Sequence, residues 1–516
     1  MKTFFFGEGH LTPDLALQIA KNKINCKIGK RAKINIQKSR EYTLEIASSE
    51  RAVYGVNTGF GPLCDTRISK KKIKLLQENI LKSHSVGVGP LVPDLIVKLM
   101  LITKVHALSM GYSGISLEVL ERILFFIHHE IIPEVPAQGS VGASGDLAPL
   151  AHLFLPIIGL GNVKVNGTTI SAAKMHTFHH LNPVTLGAKE GLALINGTQF
   201  ILSYAVLGLS RFHNCLEAAD IVGAMSIEGL LGSISPFKKE LHKLRPFEGS
   251  KLVAARMSTL LSGSNMVASH EYCDRVQDPY SLRCIPQVHG ASRNAWTHLN
   301  DLVTTELNSV TDNPIIIDGQ TSISGGNFHG QLLAIPLDYA GLAAAEIGNI
   351  SDRRTYLLLE GKTNGLPRLL MKNTGINSGF MIPQYTSAAL ASENKGLCWP
   401  SSADSIPTSL GQEDHVSMGS ISGRKFNTII DNLEHILAVE LICAAQAFDY
   451  HKPLRSSLIL EQCHDLIRTL INHAEEDHIF SEDIKLAHKL IASGALVQKA
   501  NKTAKVHHID LVNAFE

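Results

Sequence analysis

Apolar residues recur along most of this chain at helical rather than strand spacing, and the elements they predict are mostly helices. A short amphipathic stretch at residues 12–21 comes first. Residues 69–84 carry the same period. Val92-Pro93-Asp94 opens a further helix, with Pro93 in the first position, where a missing N–H costs nothing, and this helix runs to about Met110. Residues 117–132 predict another, stopped by Pro133. Between these lie segments with turn chemistry. The run Tyr54-Gly55-Val56-Asn57-Thr58-Gly59-Phe60-Gly61-Pro62 reads as a loop. Val163-Lys164-Val165 and Thr168-Thr169-Ile170 flank Asn166-Gly167, a dipeptide suited to a type I′ hairpin turn. From residue 189 onward helix dominates. The stretches 189–232, 287–310, 336–361 and 424–449 are apolar on more than one face, as in helices at the centre of a large protein or packed against other subunits. The tail from Ala474 is helical and more polar. Strands and helices do not alternate regularly, so a doubly wound parallel sheet is not expected. The predicted fold class is mainly α with a short β-hairpin.

Size and charge narrow the function classes. A chain of 516 residues has ample length for a large core, and length alone suggests two to four domains or one large unit. A working division puts the loops and the hairpin in residues 1–196 and the long helices in 197–516, in a chain with no low-complexity linker to separate them. The net charge of +1 argues against a nucleic-acid scaffold. Charged residues are only 18% and apolar ones 44%, a light surface that hints at burial in an oligomer. The eight cysteines are scattered without a C-x-x-C pair, which reads as reduced thiols and a cytoplasmic location. The first residues, Met1-Lys2-Thr3-Phe4-Phe5-Phe6-Gly7, have too short an apolar run for a secretory signal, and no run of eighteen apolar residues predicts a membrane span. Of the 24 histidines, the nearest clusters are His176-x-x-His179-His180 and His128-His129-Glu130. Neither has H-E-x-x-H spacing, and no metal is expected.

The densest chemical signal is Gly139-Ser140-Val141-Gly142-Ala143-Ser144-Gly145-Asp146. One reading is a tight loop entering a helix, with Asp146 as its N-cap and Pro149 in the tolerated first turn. A second is an anion site at a helix start. A third comes from resemblance. Ala143-Ser144-Gly145, in the frame GSVGASGDLAPLAH, resembles the prosthetic-group segment of the aromatic amino acid ammonia-lyases. In that family the segment cyclises autocatalytically to a methylidene-imidazolone (MIO), an electrophile made from backbone. The residue types suit the chemistry: Gly145 offers an unhindered amide, Ala143 an open carbonyl, and Ser144 a hydroxyl that leaves as water. Closing the ring needs a compressed turn whose strain the fold must hold. No external cofactor is implied.

The resemblance covers roughly residues 54–449 and implies a role for further residues. Tyr54, in VYGVNTGFG, corresponds to the family's general base, although a phenol with a reference pKa of about 10 needs tuning by nearby dipoles or cations to act near neutrality. Asn196, in KEGLALINGT, corresponds to the residue that hydrogen-bonds the ring oxygen, an oxyanion-type task. In Gln277-Asp278-Pro279-Tyr280-Ser281-Leu282-Arg283, the planar fork of Arg283 suits a substrate carboxylate, with Gln277 and Tyr280 expected beside it and Tyr280 near the reacting carbons. In Gly325-Gly326-Asn327-Phe328-His329-Gly330, Phe328 is expected against the prosthetic ring, Asn327 hydrogen-bonded to substrate or backbone, and His329 as structural. The family's fold implies a mainly α protein with a long central helical bundle. Its assembly implies a homotetramer whose active sites draw loops from more than one subunit.

Substrate choice rests on His84, in LKSHSVGVG, and Glu413, in Gln412-Glu413-Asp414-His415. Together they resemble the pair that contacts imidazole in the histidine-specific branch of the family. The physics agrees, since imidazole has two nitrogens to satisfy and a carboxylate with a second histidine can satisfy both. A phenylalanine ring would leave Glu413 unpaired and desolvated at a cost of about 1–3 kcal/mol. One departure from the family pattern is Leu410-Gly411 before Gln412, where an asparagine is expected. The implied reaction is elimination of ammonia from L-histidine to give trans-urocanate, the opening step of histidine degradation. The alternatives are a tyrosine or phenylalanine ammonia-lyase or aminomutase with the same group, and a protein whose Gly-rich loop merely binds an anion. A helical lyase acting on succinyl compounds is disfavoured, because Gly263-Ser264-Asn265-Met266 lacks the proline and lysine of that class.

Overall fold

The computed structural model describes residues 2–63, 66–270, 275–318 and 321–512. Among these residues there are twenty α-helices and nine short strands. The predicted first helix forms at Pro13–Ala20, where the Thr12 hydroxyl accepts from Leu15 N at 3.3 Å and Pro13 occupies the first turn. Helices at Ile73–His84 and Asp94–Ser109 follow, and Pro93 stands just outside the second rather than inside it. The helix predicted over 117–132 ends at His128. Ile132–Pro133 instead forms a short strand beside Asn162–Val165, which pairs in turn with Thr168–Ser171. The hairpin is therefore present and has a third strand that local spacing does not reveal. Its turn residues Asn166 and Gly167 both have left-handed φ, 49° and 78°, as a type I′ turn requires.

The long apolar stretches become long helices at Gln199–Gly229, Ile285–Leu307, Gln331–Leu359 and Gly419–Tyr450. The stretch predicted as one helix over 189–232 is broken at Asn196-Gly197-Thr198 into Glu190–Ile195 and Gln199–Gly229. Gly197 sits at φ 132°, which a helix does not tolerate. No helix among the described residues is long and apolar enough to cross a membrane.

Two compact units emerge. The first comprises residues 1–207, 299–338 and 400–424, and the second 208–298, 339–399 and 425–516. The working division at 196/197 lies near the first boundary, but each unit is assembled from three separate segments. The physical reason is that all four of these long helices contribute residues to both units, so a single cut in sequence describes neither. The first unit holds the short sheets, the loops and the helices that frame them. The second is helical, and every residue from Ile436 to Phe448 in it is buried.

The interior of the second unit also carries charge. Arg256 and Arg293, both buried, share the carboxylates of Glu217 and Asp220 at 2.5–3.0 Å, and His289 Nδ1 lies 2.8 Å from Asp220 Oδ1. Burial alone would raise the Asp220 carboxyl, but Arg293, His289 and Arg256 outweigh it and hold the group well below the usual carboxylate range. Removing one member of such a cluster leaves uncompensated charge behind, at a cost of about 3–5 kcal/mol. Asp220→Asn is therefore expected to lower the thermal unfolding midpoint of the whole protein in calorimetry. Because the folded pKa is depressed, the Asp220 contribution is complete above the unfolded carboxylate value of about 4 and drains away as pH falls below it. The midpoint of the Asp220→Asn variant should accordingly fall less on acidification than that of the parent.

Candidate active site

The loop at 139–146 is shaped by close backbone contacts that exclude side chains. A Cβ on Gly142 would meet Ser417 Oγ at 2.3 Å, and the Gly142 amide donates to Ser417 O at 2.8 Å. Ala143 packs with Val416 and Met418. The next two residues turn consecutively through left-handed space, Ser144 at φ 56° and Gly145 at φ 83°. A Cβ on Gly145 would meet Gly197 O at 2.2 Å, so only glycine permits this approach. The Asp146 amide then donates to the same Gly197 oxygen at 2.8 Å.

Asp146 acts differently from the local N-cap predicted for it. Its side chain makes no capping bond in its own helix, Leu147–Phe154. Its Oδ2 instead accepts from the amides of Phe200 and Ile201, at 3.1 and 3.0 Å, at the start of the helix Gln199–Gly229. The carboxylate of one segment thus caps the helix of another, a pairing that spacing within the loop does not specify. Burial raises the Asp146 carboxyl to about 7, against the lowering effect of the two amide donors.

Two donors converge on the Ser144 carbonyl oxygen. Asn196 Nδ2 lies at 2.6 Å and the Gly197 amide at 3.4 Å. Together they form an oxyanion-type pair at the centre of the tripeptide. Behind them the fully buried Lys104 ammonium donates to Asn196 O at 2.5 Å and to Gln199 Oε1 at 3.3 Å. Burial pulls the Lys104 pKa down to about 7, with the opposing effect of Asp312 too weak to restore it.

Ser144 opens onto a cavity of about 450 Å³ in the first unit, whose walls include Tyr54, Phe60, His84, Leu192 and Glu413. The Tyr54 hydroxyl accepts from the Gly61 amide at 3.3 Å. The His84 pKa is lowered chiefly by burial, which favours a neutral imidazole, and its Nδ1 lies 2.9 Å from Ser83 Oγ. Glu413 Oε2 is buried with no hydrogen-bond partner among the described residues. The cavity wall contains no lysine or arginine among the described residues. The place therefore has a carboxylate in want of a donor, an imidazole that burial biases toward its neutral form, a phenol and a polarised backbone carbonyl, but no lysine or arginine among the described residues.

The sequence profile described as aromatic amino acid lyase matches residues 11–469. The chain belongs to this family. It is 45% identical over 474 residues to a histidine ammonia-lyase of Natranaerobius thermophilus, covering 92% of this chain and 93% of that protein. Among solved structures, a histidine ammonia-lyase from Trypanosoma cruzi matches with a TM-score of 0.89 at 38% identity, covering 98% and 96% of the two chains. A tyrosine aminomutase from Streptomyces globisporus matches with a TM-score of 0.92 at 33% identity, covering 98% and 99%.

Of the residues that the family resemblance singles out, Tyr54, His84, Ser144 and Glu413 share one cavity, and Asn196 reaches it through the Ser144 carbonyl. Phe328 is half-buried and does not line it, and Asn327 Nδ2 donates to Val310 O at 3.1 Å. His329 stacks on His415. Gln277, Tyr280 and Arg283 belong to the second unit. There Gln277 and Arg283 line a separate cavity, whereas Tyr280 is 71% exposed with the Arg283 guanidinium 4.3 Å from its ring centroid. Arg283 Nε donates to Asp278 O at 3.0 Å, and the guanidinium has no ion pair among the described residues. Lys104 and the capping role of Asp146 escape a reading by motif. The available signal for Lys104 is its place as a charge in a mostly apolar stretch, after Leu99-Met100-Leu101-Ile102 and before Val105.

Asp146→Ala should uncap the helix Gln199–Gly229 at a cost of about 1–2 kcal/mol. Hydrogen exchange measured residue by residue should then show faster exchange at the Phe200 and Ile201 amides, with amides in the second-unit interior unchanged.

Proposed function

We propose that this protein eliminates ammonia from L-histidine to give trans-urocanate, using an MIO group formed from Ala143, Ser144 and Gly145. The carrying observation is the Glu413 oxygen that has no hydrogen-bond partner among the described residues and shares a cavity with His84 and the Ser144 turn. Imidazole supplies the donor that Glu413 lacks and an acceptor or donor for His84. A phenyl ring supplies neither. The name of the Natranaerobius thermophilus relative agrees with this reading.

The tripeptide fits the prosthetic group. Its two consecutive left-handed residues form the compressed turn that ring closure needs, the glycine contact leaves no room for a side chain, and the buried Asn196 Oδ1 has no partner among the described residues. When formed, the group supplies an electrophilic methylidene that backbone amides lack. The chain's own residues do the remaining work. Glu413 and His84 hold the imidazole and so orient the side-chain carbon that loses its proton. The Tyr54 phenol takes that proton at its oxygen. Asn196 Nδ2 and the Gly197 amide bond the Ser144 oxygen, where negative charge would gather. Leu192 and Phe60 form apolar wall that limits access of water.

A substrate α-carboxylate needs a cation, and the cavity wall contains none among the described residues. In this reading Arg283 supplies it from another copy of the chain, which makes the enzyme a homo-oligomer, in keeping with the tetramers of the family. Tyr339, Leu342, Ile382, Tyr385 and Trp399 of the second unit are all about half exposed or more, apolar surface that suits burial between copies.

Two measurements test the proposal. Intact mass should show loss of two waters from the parent chain and no such loss in Ser144→Ala. Product absorbance, assayed separately with L-histidine, L-tyrosine and L-phenylalanine, should show turnover of histidine. Glu413→Ala should lower kcat/KM for histidine roughly tenfold or more, the value of a hydrogen bond to a charged group. Preferred turnover of tyrosine, or release of a β-amino acid, would reassign the chain to an aminomutase or another lyase.

A further inference from the structure

Lys104 lies outside every motif considered above, yet it is almost completely buried in the first unit, on the helix Asp94–Ser109. Leu99, Met100, Leu101, Ile102 and Val105 around it in sequence are all buried. An ammonium in such surroundings is expensive to hold unless paired with a carboxylate. Its hydrogen-bond partners among the described residues are instead two uncharged oxygens, Asn196 O and Gln199 Oε1. The acidic groups nearest in effect are committed elsewhere. Asp312 binds Lys189 at 2.7 Å and accepts from the Ser113 hydroxyl at 2.9 Å, and Asp146 accepts from Phe200 and Ile201. A lysine kept for stability alone would be arranged differently.

The position of its acceptor suggests the task. Asn196 O and the Gly197 N–H belong to one peptide group. The carbonyl end takes a bond from Lys104, and the amide end points at the Ser144 oxygen at 3.4 Å. A cation on the carbonyl end polarises the peptide and strengthens the donor at the other end. We infer that Lys104 is a positioning residue for formation of the prosthetic group, holding and polarising the Asn196–Gly197 peptide so that it supports negative charge on the Ser144 oxygen.

The inference rests on the ring-forming reading given above, and its chemistry balances without any oxidant. The Gly145 nitrogen bonds to the Ala143 carbonyl carbon. The Ala143 oxygen leaves as the first water, with one proton from the Gly145 nitrogen and one from the Ser144 nitrogen, leaving a carbon–nitrogen double bond. The Ser144 Cα proton and side-chain hydroxyl leave as the second water, giving the methylidene. As the Cα proton departs, its electron pair spreads onto the Ser144 carbonyl oxygen before returning to expel the hydroxyl. That oxygen is the one facing Asn196 Nδ2 and the Gly197 amide.

The test compares the full-length parent with Lys104→Met and Lys104→Arg, each synthesised in a cell-free reaction and sampled by intact mass against time. Thermal midpoints are measured on the purified products. The parent should lose two waters. Lys104→Met should do so at a rate lower by roughly tenfold or more, less than the ~100-fold that loss of a direct oxyanion donor costs because Lys104 acts through the peptide, with a midpoint no lower than the parent's because a desolvated charge has been removed. Lys104→Arg, which keeps the cation, should close faster than Lys104→Met. A Met variant that closes at the parental rate overturns the inference. So does slow closure accompanied by a lowered midpoint, which marks a packing defect, and so does an Arg variant as slow as Met, which assigns the effect to shape rather than charge. A parent chain that never loses water overturns the ring-forming reading instead.

Discussion

The approach of Gly145 to Gly197 is the contact on which the site depends. Two backbone segments meet where a single methyl group would be 2.2 Å from a carbonyl oxygen. That approach places the Asp146 amide on Gly197 O, brings Ser144 O within reach of the Asn196 side chain, and sets the Asp146 carboxylate over the first amides of the helix Gln199–Gly229. The compressed turn and the start of a long buried helix are therefore parts of one structure. A serine in left-handed space costs on the order of 1–2 kcal/mol. The surrounding bonds hold it there, and such over-determined strain is what the proposed ring closure would require.

Buried charge is used in two ways in this chain. In the second unit every buried basic side chain of two clusters faces a carboxylate: Arg256, Arg293 and His289 face Glu217 and Asp220, and Arg354 faces Glu440, although His289 Nε2 and Arg354 Nη1 have no hydrogen-bond partner among the described residues. These clusters stiffen a helical interior at the cost of desolvation that pairing offsets. Around the Ser144 turn, by contrast, the buried cation has no carboxylate bonded to it among the described residues. Lys104 meets only neutral oxygens, Asn196 Oδ1 and Glu413 Oε2 have no partner among the described residues, and the Ser144 oxygen draws two donors. Polar groups left with unused capacity are costly in a scaffold and useful where a ligand or a developing charge completes them.

The helices were legible because their apolar period is local, and the hairpin because Asn166-Gly167 carries its turn geometry in two residues. The third strand at Ile132–Pro133 was not, since a two-residue pairing leaves no periodic trace. The break at Asn196-Gly197 was masked by apolar residues that continue on both sides of it. In the site, the glycine-rich frame and its resemblance pointed to Tyr54, His84, Ser144 and Glu413, which come from four separate stretches and meet at one cavity. Lys104 and the long-range capping by Asp146 depend on which segments pack together, and neither propensity nor spacing encodes that.

The charge balance of the cavity carries the oligomer argument further than surface area does. An α-amino acid bound there brings a carboxylate, an ammonium and, in the proposed reaction, an imidazole. Glu413 answers the imidazole, yet the wall among the described residues provides no cation for the carboxylate. Arg283 has the complementary deficit: its Nε is fixed by Asp278 O, its face rests on Tyr280, and the rest of its guanidinium fork has no acidic partner among the described residues. A guanidinium braced at one edge and open at the other is organised to receive a planar carboxylate. On the proposed reading, assembly completes the binding site as well as covering apolar surface, so a variant that stays monomeric would lose carboxylate recognition while keeping the turn at Ser144 intact.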